Sequence, residues 1–393
     1  MSLPSDRLEC RWVIESMRNG VPNRQAVARL ECNQPRIQKR VHKMLEDLET
    51  LPQAVSNKAS HFILASGDFG QGKSHLLANL AQDALERGFA TSSIVVSKET
   101  PLYKLDAMFR MAAGWGRLPD SSGLMVEDAW DRLLRRRDAV DALITELEAG
   151  QYDLHPIFPA TLRVRFRCGE EDLNSEIGLF WAGEKIRIAR VKEGLKLIGS
   201  DPDISMPPVK TLPPQRLLFL SLLLRAAGCR GWVVFLDELE LIDSYSRLQR
   251  GRAYAELARW AGVKPYAPVP GLVVVGAITG DFDTAVLSNS GKGDRGKLPI
   301  LLQEKGPDLE KAAVAGMKLF SQKGEPLVRP NISGAQRMVD SLRDIYNQAY
   351  DCEAKPLDVK DLGPDSDLPR ARVRKAIRLW DRDRYQVDQP PQS

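Results

Sequence analysis

The sequence predicts an α/β protein built on a parallel sheet, with a phosphate-binding loop at the end of one strand. Three observations carry this. Short apolar runs at 61–65, 92–97, 231–236 and 272–278 alternate with helical stretches. The first run leads into Gly67-Asp68-Phe69-Gly70-Gln71-Gly72-Lys73-Ser74, which fits G-x-x-x-x-G-K-S without a deviation. The third ends in two acids, Asp237 and Glu238. The order strand, loop, helix, strand around the loop is a βαβ unit, and such units imply parallel pairing.

Taken in order, residues 6–50 read as helical. Leu8, Trp12, Val13 and Met17 fall at helical spacing, and Gly20-Val21-Pro22-Asn23 breaks the pattern. Helical stretches follow at about 24–30 and 35–50. After the loop, residues 74–87 read as a helix closed by Gly88. Residues 124–149 read as one long charged helix. The stretch 151–214 carries seven prolines, so 118–215 is taken as a helical insertion with proline-rich connections. Pro213 and Pro214 open the helix that leads to the third strand. Residues 289–297 read as a polar glycine-rich loop, and helix resumes from Ser333. This divides the chain into an N-terminal helical segment (1–50), a core (51–300) interrupted by the insertion, and a C-terminal part (301–393).

Bulk properties narrow the function classes. The chain has 393 residues, 43% of them hydrophobic, enough for a sizeable core. Its net charge of +4 gives no global basic signature, so any nucleic-acid surface is local. The five cysteines are scattered without a CxxC pair, which favours a reducing compartment over a disulfide framework or a zinc site. The N-terminus has no apolar core of signal-peptide length, and the longest apolar stretch, 217–227, is interrupted and short. The expectation is a cytoplasmic protein with no membrane partner.

The chemistry is read from the loop outward. Its glycines let successive backbone N–H groups point at a phosphate. Lys73 supplies a mobile positive charge, and the Ser74 hydroxyl is a hard oxygen ligand for Mg2+. The helix that starts there aims its positive end at the phosphates. ATP with Mg2+ is the expected ligand. Asp237, at the C-terminal end of its strand, is expected to hold the metal, and Glu238 to polarise the attacking water. Glu240 reads as an exposed acid at a helix start with no special role. Thr279, ending the fourth strand, is placed to reach between the γ-phosphate and Glu238. Arg295 is a candidate to enter a neighbouring subunit's site, against the alternative of a solvated loop arginine. Arg370 or Arg372 could fold back onto the γ-phosphate. From 369 to 385 seven Lys/Arg stand against two Asp/Glu, a stripe that either meets DNA phosphates or is a solvated helix face. The alternation Leu-Arg-Val-Arg-Phe-Arg at 162–167 reads as a strand with three arginines on one face, a possible wall of a nucleic-acid channel.

These residues also carry a resemblance. The loop followed by His75-Leu-Leu, the segment Arg18-Asn-Gly-Val-Pro-Asn-Arg24, the run from Gly231 to Glu240, and Gln249-Arg-Gly-Arg-Ala-Tyr-Ala-Glu-Leu257 resemble the ATP-binding protein family of BREX phage-defence systems, the BrxD-like group. The likeness covers about 8–115 and 215–385. It implies an AAA+-like P-loop ATPase with an additional-strand catalytic glutamate. It places Val21 and Pro22 near the adenine, beside the Gly67–His75 contacts, and implies a C-terminal helical or winged-helix part. It also implies a role in antiviral defence beside a helicase-like partner. Two function classes stay open: a motor or switch acting on DNA, with homo-oligomers possible, and a nucleotide-gated scaffold that organises defence proteins with little turnover.

Overall fold

A computed structural model describes residues 5–19, 29–30, 32–50, 61–322, 324–363 and 368–387. A five-stranded parallel sheet organises the core. Its strands are β1 (Phe62–Ser66), β2 (Ala90–Val95), β3 (Trp232–Asp237), β4 (Leu272–Ile278) and β5 (Gly324–Pro326), in the order β2-β3-β4-β1-β5. β4 thus lies between the strand that feeds the phosphate loop and the strand that ends in the acids. All seven residues of β4 are buried, as a central parallel strand covered on both faces requires.

Strand side chains alternate between two cores, as a period of two dictates. Ile63, Ala65, Val233, Phe235, Val273 and Val275 pack against helices α2 (Pro35–Thr50) and α3 (Lys73–Glu86). Phe62, Leu64, Val234, Leu236 and Val274 face the opposite way. There they meet α4 (Leu105–Gly114), the inserted helices α5 (Met125–Leu134), α6 (Arg137–Glu148), α7 (Ile157–Arg167), α8 (Glu171–Trp181) and α9 (Ile188–Leu197), and α10 (Leu212–Ala226). Also on that side are α11 (Arg247–Trp260), α12 (Asp294–Gln303) and α13 (Pro307–Gln322). The insertion is helical as expected, and it shares one continuous apolar core with the sheet.

Two readings of the insertion are corrected. Residues 124–149 form two helices with a break at Arg135–Arg136. Arg136 leaves helical geometry (φ −123°, ψ 62°), and its guanidinium donates to the Ala226 carbonyl at the end of α10, so a tertiary bond turns the chain. Residues 162–167 are helical, within α7. At helical pitch Arg165 points away from Arg163 and Arg167. It is buried between Trp130 and Trp181, 5.0 and 4.9 Å from the ring centroids, and paired with Glu127. Arg163 pairs with Glu148. The three arginines form no common face.

Beyond β5 the described residues are helical or irregular: α14 (Ile332–Tyr350), a 3-10 turn (Val359–Leu362) and α15 (Pro369–Val387). Together with α1 (Ser5–Asn19) they bury a separate cluster that includes Val13, Ile14, Val339, Leu342, Ile377 and Trp380. The two ends of the sequence therefore build one lobe. A polar clamp joins them: Arg18 meets Asp381 at 2.9 Å, and the Tyr346 hydroxyl donates to the same carboxylate. β5, from the stretch read as C-terminal, pairs with β1 and completes the sheet.

Candidate nucleotide site

The loop 67–74 sits at the C-terminal end of β1, where ligand sites of open parallel sheets lie. The Gly67 N–H donates to the Ile278 carbonyl, which stitches the loop's start to the end of β4. Gly70 and Gly72 take φ of 81° and 104°, a region that side-chain-bearing residues rarely enter. α3 begins at Lys73 and is fixed to the sheet by buried Leu76, Leu77, Leu80 and Ala84. Gln71 acts as a strut inside the curve. Its side chain accepts from the Asp68 N–H at 2.7 Å and donates to the Leu327 carbonyl at 2.7 Å.

Lys73 is 6% exposed; its amine donates to the Gly67 carbonyl at 3.1 Å. Ser74 lines the same cleft. His75 faces the Leu30 carbonyl at 3.1 Å, and burial lowers its pKa, so the neutral ring ties α3 to the N-terminal segment through an Nε2–H donor. Asp68 is exposed and pairs with Arg329 at 2.8 Å. Phe69 is also exposed, with the Arg370 guanidinium 5.2 Å from its ring centroid.

β3 delivers the acids. The Asp237 carboxylate accepts from the Glu238 N–H at 2.9 Å. Glu238 adopts a left-handed backbone (φ 60°, ψ 37°), a strained conformation for this residue type that turns its side chain out of the strand and into the cleft. Burial, and then the neighbouring charges of Glu240 and Asp237, raise its pKa from its ordinary value. Thr279 directly follows Ile278, whose carbonyl holds the loop, so the fourth strand ends against the phosphate loop. Gly70, from the loop, accepts the Arg370 N–H, which brings the head of α15 to the site. Arg370 lines the cleft. Arg372 is buried on the same helix, so the arginine stripe is not a uniformly solvated face.

Arg295 stands outside this convergence. It is exposed on the first turn of α12, rather than in a loop, and pairs with Asp283. The preceding Asp294 is 1% exposed and gripped by Arg250 (2.6 and 2.7 Å) and the Tyr254 hydroxyl (2.9 Å), which fixes where α12 begins. Val21 and Pro22 lie outside the described residues.

Met17, Leu30, Cys32, Met338 and Val373 also line the cleft, an apolar end suited to a planar base. A family model described as BREX system ATP-binding protein BrxC/D matches residues 6–114, from α1 through the phosphate loop to α4. The match supports the BREX BrxC/D-like family. No curated protein matches the chain. The match covers the N-terminal lining of the cleft and the loop, while Glu238, Met338, Arg370 and Val373 come from beyond it.

Sequence reasoning missed several of these residues. Glu240 is corrected from an exposed acid to a largely buried one, 17% exposed, with its Oε1 3.5 Å from the Lys73 amine. Buried Leu239 starts a tight 3-10 turn (Leu239–Ser244), so an acid two positions after Glu238 stays beside the site, a placement that the spacing alone does not dictate. Met338 and Val373 left no local signal, because only the docking of α14 and α15 brings them to the loop.

Proposed function

We propose that this protein binds ATP with Mg2+ and hydrolyses it, as an AAA+-like ATPase of a bacterial phage-defence system acting on or with DNA. The observation that carries this is the convergence of Lys73 and Glu238 on one cleft that also has an apolar end. The placement of β4 between β1 and β3 supports the additional-strand reading.

The residues fit the metal. Ser74 and Asp237 offer hard oxygen donors, and phosphate oxygens and waters would complete the octahedron. Among the described residues no group of three or more His, Cys, Asp or Glu side chains forms a self-sufficient cage. Bound there, the ion would neutralise charge developing on the phosphates. The loop amides and Lys73 hold the phosphate chain. Glu238 orients and deprotonates the attacking water, for which its raised pKa is suited. Thr279 bridges toward Glu238, and Arg370 reaches the transferring phosphoryl group. Arg295, fixed by the Asp294 clamp and presented on the surface, would act on a neighbouring copy's site. Val21 and Pro22 would cover the adenine.

Among the described residues no helix is long and apolar enough to cross a membrane. That and the free cysteines support a cytoplasmic protein working with other defence proteins, a helicase-like partner among them. The deciding experiment measures ATP turnover of the wild type, Lys73→Ala and Glu238→Gln, with and without double-stranded DNA, while light scattering follows mass. DNA-stimulated turnover that Glu238→Gln abolishes is the expected result. Turnover undiminished in Glu238→Gln overturns it. Binding without turnover favours a nucleotide-gated scaffold.

A further inference from the structure

The Lys73–Glu240 pair is not used by the chemistry above. Asp237 and Glu238 already supply a metal ligand and a base, yet a third carboxylate meets the phosphate-loop lysine at 3.5 Å. Both partners are largely withdrawn from solvent, 6% and 17% exposed, so their attraction is screened less than that of a surface pair. The other oxygen of Glu240, Oε2, is buried with no hydrogen-bond partner among the described residues. The carboxylate is therefore held by its placement in the 3-10 turn and by the lysine. The Lys73 amine makes its second contact to the Gly67 carbonyl, inside the loop. One ammonium has three N–H donors and one charge. It cannot give that charge fully to a phosphate while it remains paired to a carboxylate.

We propose that Glu240 is a positioning residue that holds the Lys73 amine when no phosphate is bound, and that it competes with the phosphates of a nucleotide for that amine. This rests on reading the cleft as a nucleotide site. Phosphate binding loosens the ion pair and brings anionic oxygens toward an anionic side chain. Glu240 thus keeps the buried amine compensated in the empty site and weakens binding in the filled one. A divalent cation arriving with the phosphates offsets the opposing charge, so the competition is greater for metal-free nucleotide.

The test is equilibrium binding of fluorescent ADP and ATP analogues to the full chain, with and without Mg2+. Glu240→Gln keeps the shape and removes the charge. Its dissociation constant is expected to fall roughly three- to tenfold, and further without Mg2+. Glu240→Asp, which restores a charge, is expected to return toward the wild type. In turnover assays KM falls in Glu240→Gln, and any change in kcat is expected to come through Glu238, which loses one of the charges that raise its pKa; a merely structural role would raise KM instead. In a Lys73→Met background the Glu240→Gln effect is expected to shrink, because the amine competed for is gone. Unchanged or weaker binding in Glu240→Gln, or an equal effect in the Lys73→Met background, overturns the proposal. Should the glutamine variant fail to fold, Glu240→Ala is judged by the same criteria. A wild type that binds no nucleotide removes the reading of the cleft and this inference together; a wild type that binds, with Glu240→Gln indistinguishable from it, removes only this inference.

Discussion

Gln71 shows how much of a phosphate loop is internal scaffolding. Its motif position is open to any residue, yet its side chain spans from the Asp68 N–H to the Leu327 carbonyl across the centre of the curve. Gln71→Leu would leave two backbone groups unsatisfied, at about 1–3 kcal/mol each if they remain buried. Nucleotide affinity is expected to drop several-fold in calorimetry while the helices persist by circular dichroism. Glu238→Gln is expected to bind ATP as the wild type does and to lose at least about 100-fold in turnover, the typical scale of a general base. Cys32 gives a chemical readout of the same cleft. Burial pushes its thiol up to about 12, so the fraction ionised at pH 8 is small. It is expected to alkylate slowly with iodoacetamide, as mass spectrometry of the digested protein would show. The loop, the acids and Lys73 were legible in the sequence because each is a local pattern with a fixed offset from a strand. Glu240 was not, because its burial depends on a left-handed turn at Glu238 that no local rule demands.

At the scale of elements, a few polar anchors fix where helices begin and dock. Asp294 is one. Removing it leaves Arg250 as a buried, unpaired cation, a change that typically costs about 3–5 kcal/mol. Asp294→Ala is expected to lower the thermal midpoint and to loosen the start of α12, seen as faster proteolysis near Arg295. Asp381 is another. It joins Arg18 of α1 to Tyr346 of α14 from its place on α15. Asp381→Ala is expected to weaken nucleotide binding without touching the phosphate loop, because α15 carries Arg370 and Val373 into the cleft. Thermal shift with and without ATP would detect both parts. The strands were readable from their apolar runs, and four of the five stood out. β5 did not, since Gly324-Glu325-Pro326 has no apolar pattern and earns its place only by pairing with β1. The arginine alternation in α7 misled for a related reason. Period two over six residues also fits a short helix that buries Arg165 between two tryptophans.

For the whole molecule, the insertion is continuous with the core. Helices α5 to α9 share buried residues with the sheet-facing side chains, so cutting out 125–197 would expose Met108, Phe109 and Phe219. Such a deletion is expected to fail to give soluble protein, and limited proteolysis of the intact chain is not expected to release the insertion as a stable fragment.

The last helix reaching back to the first loop has a consequence for biosynthesis. A ribosome delivers Gly67 to Ser74 long before the head of α15, yet the Gly70 carbonyl waits for the Arg370 N–H. A nascent chain carries the loop with one wall of its pocket missing. Chains stopped before residue 369 are then expected to hold a nucleotide less firmly than chains that include α15, as equilibrium binding to truncated and intact protein would show.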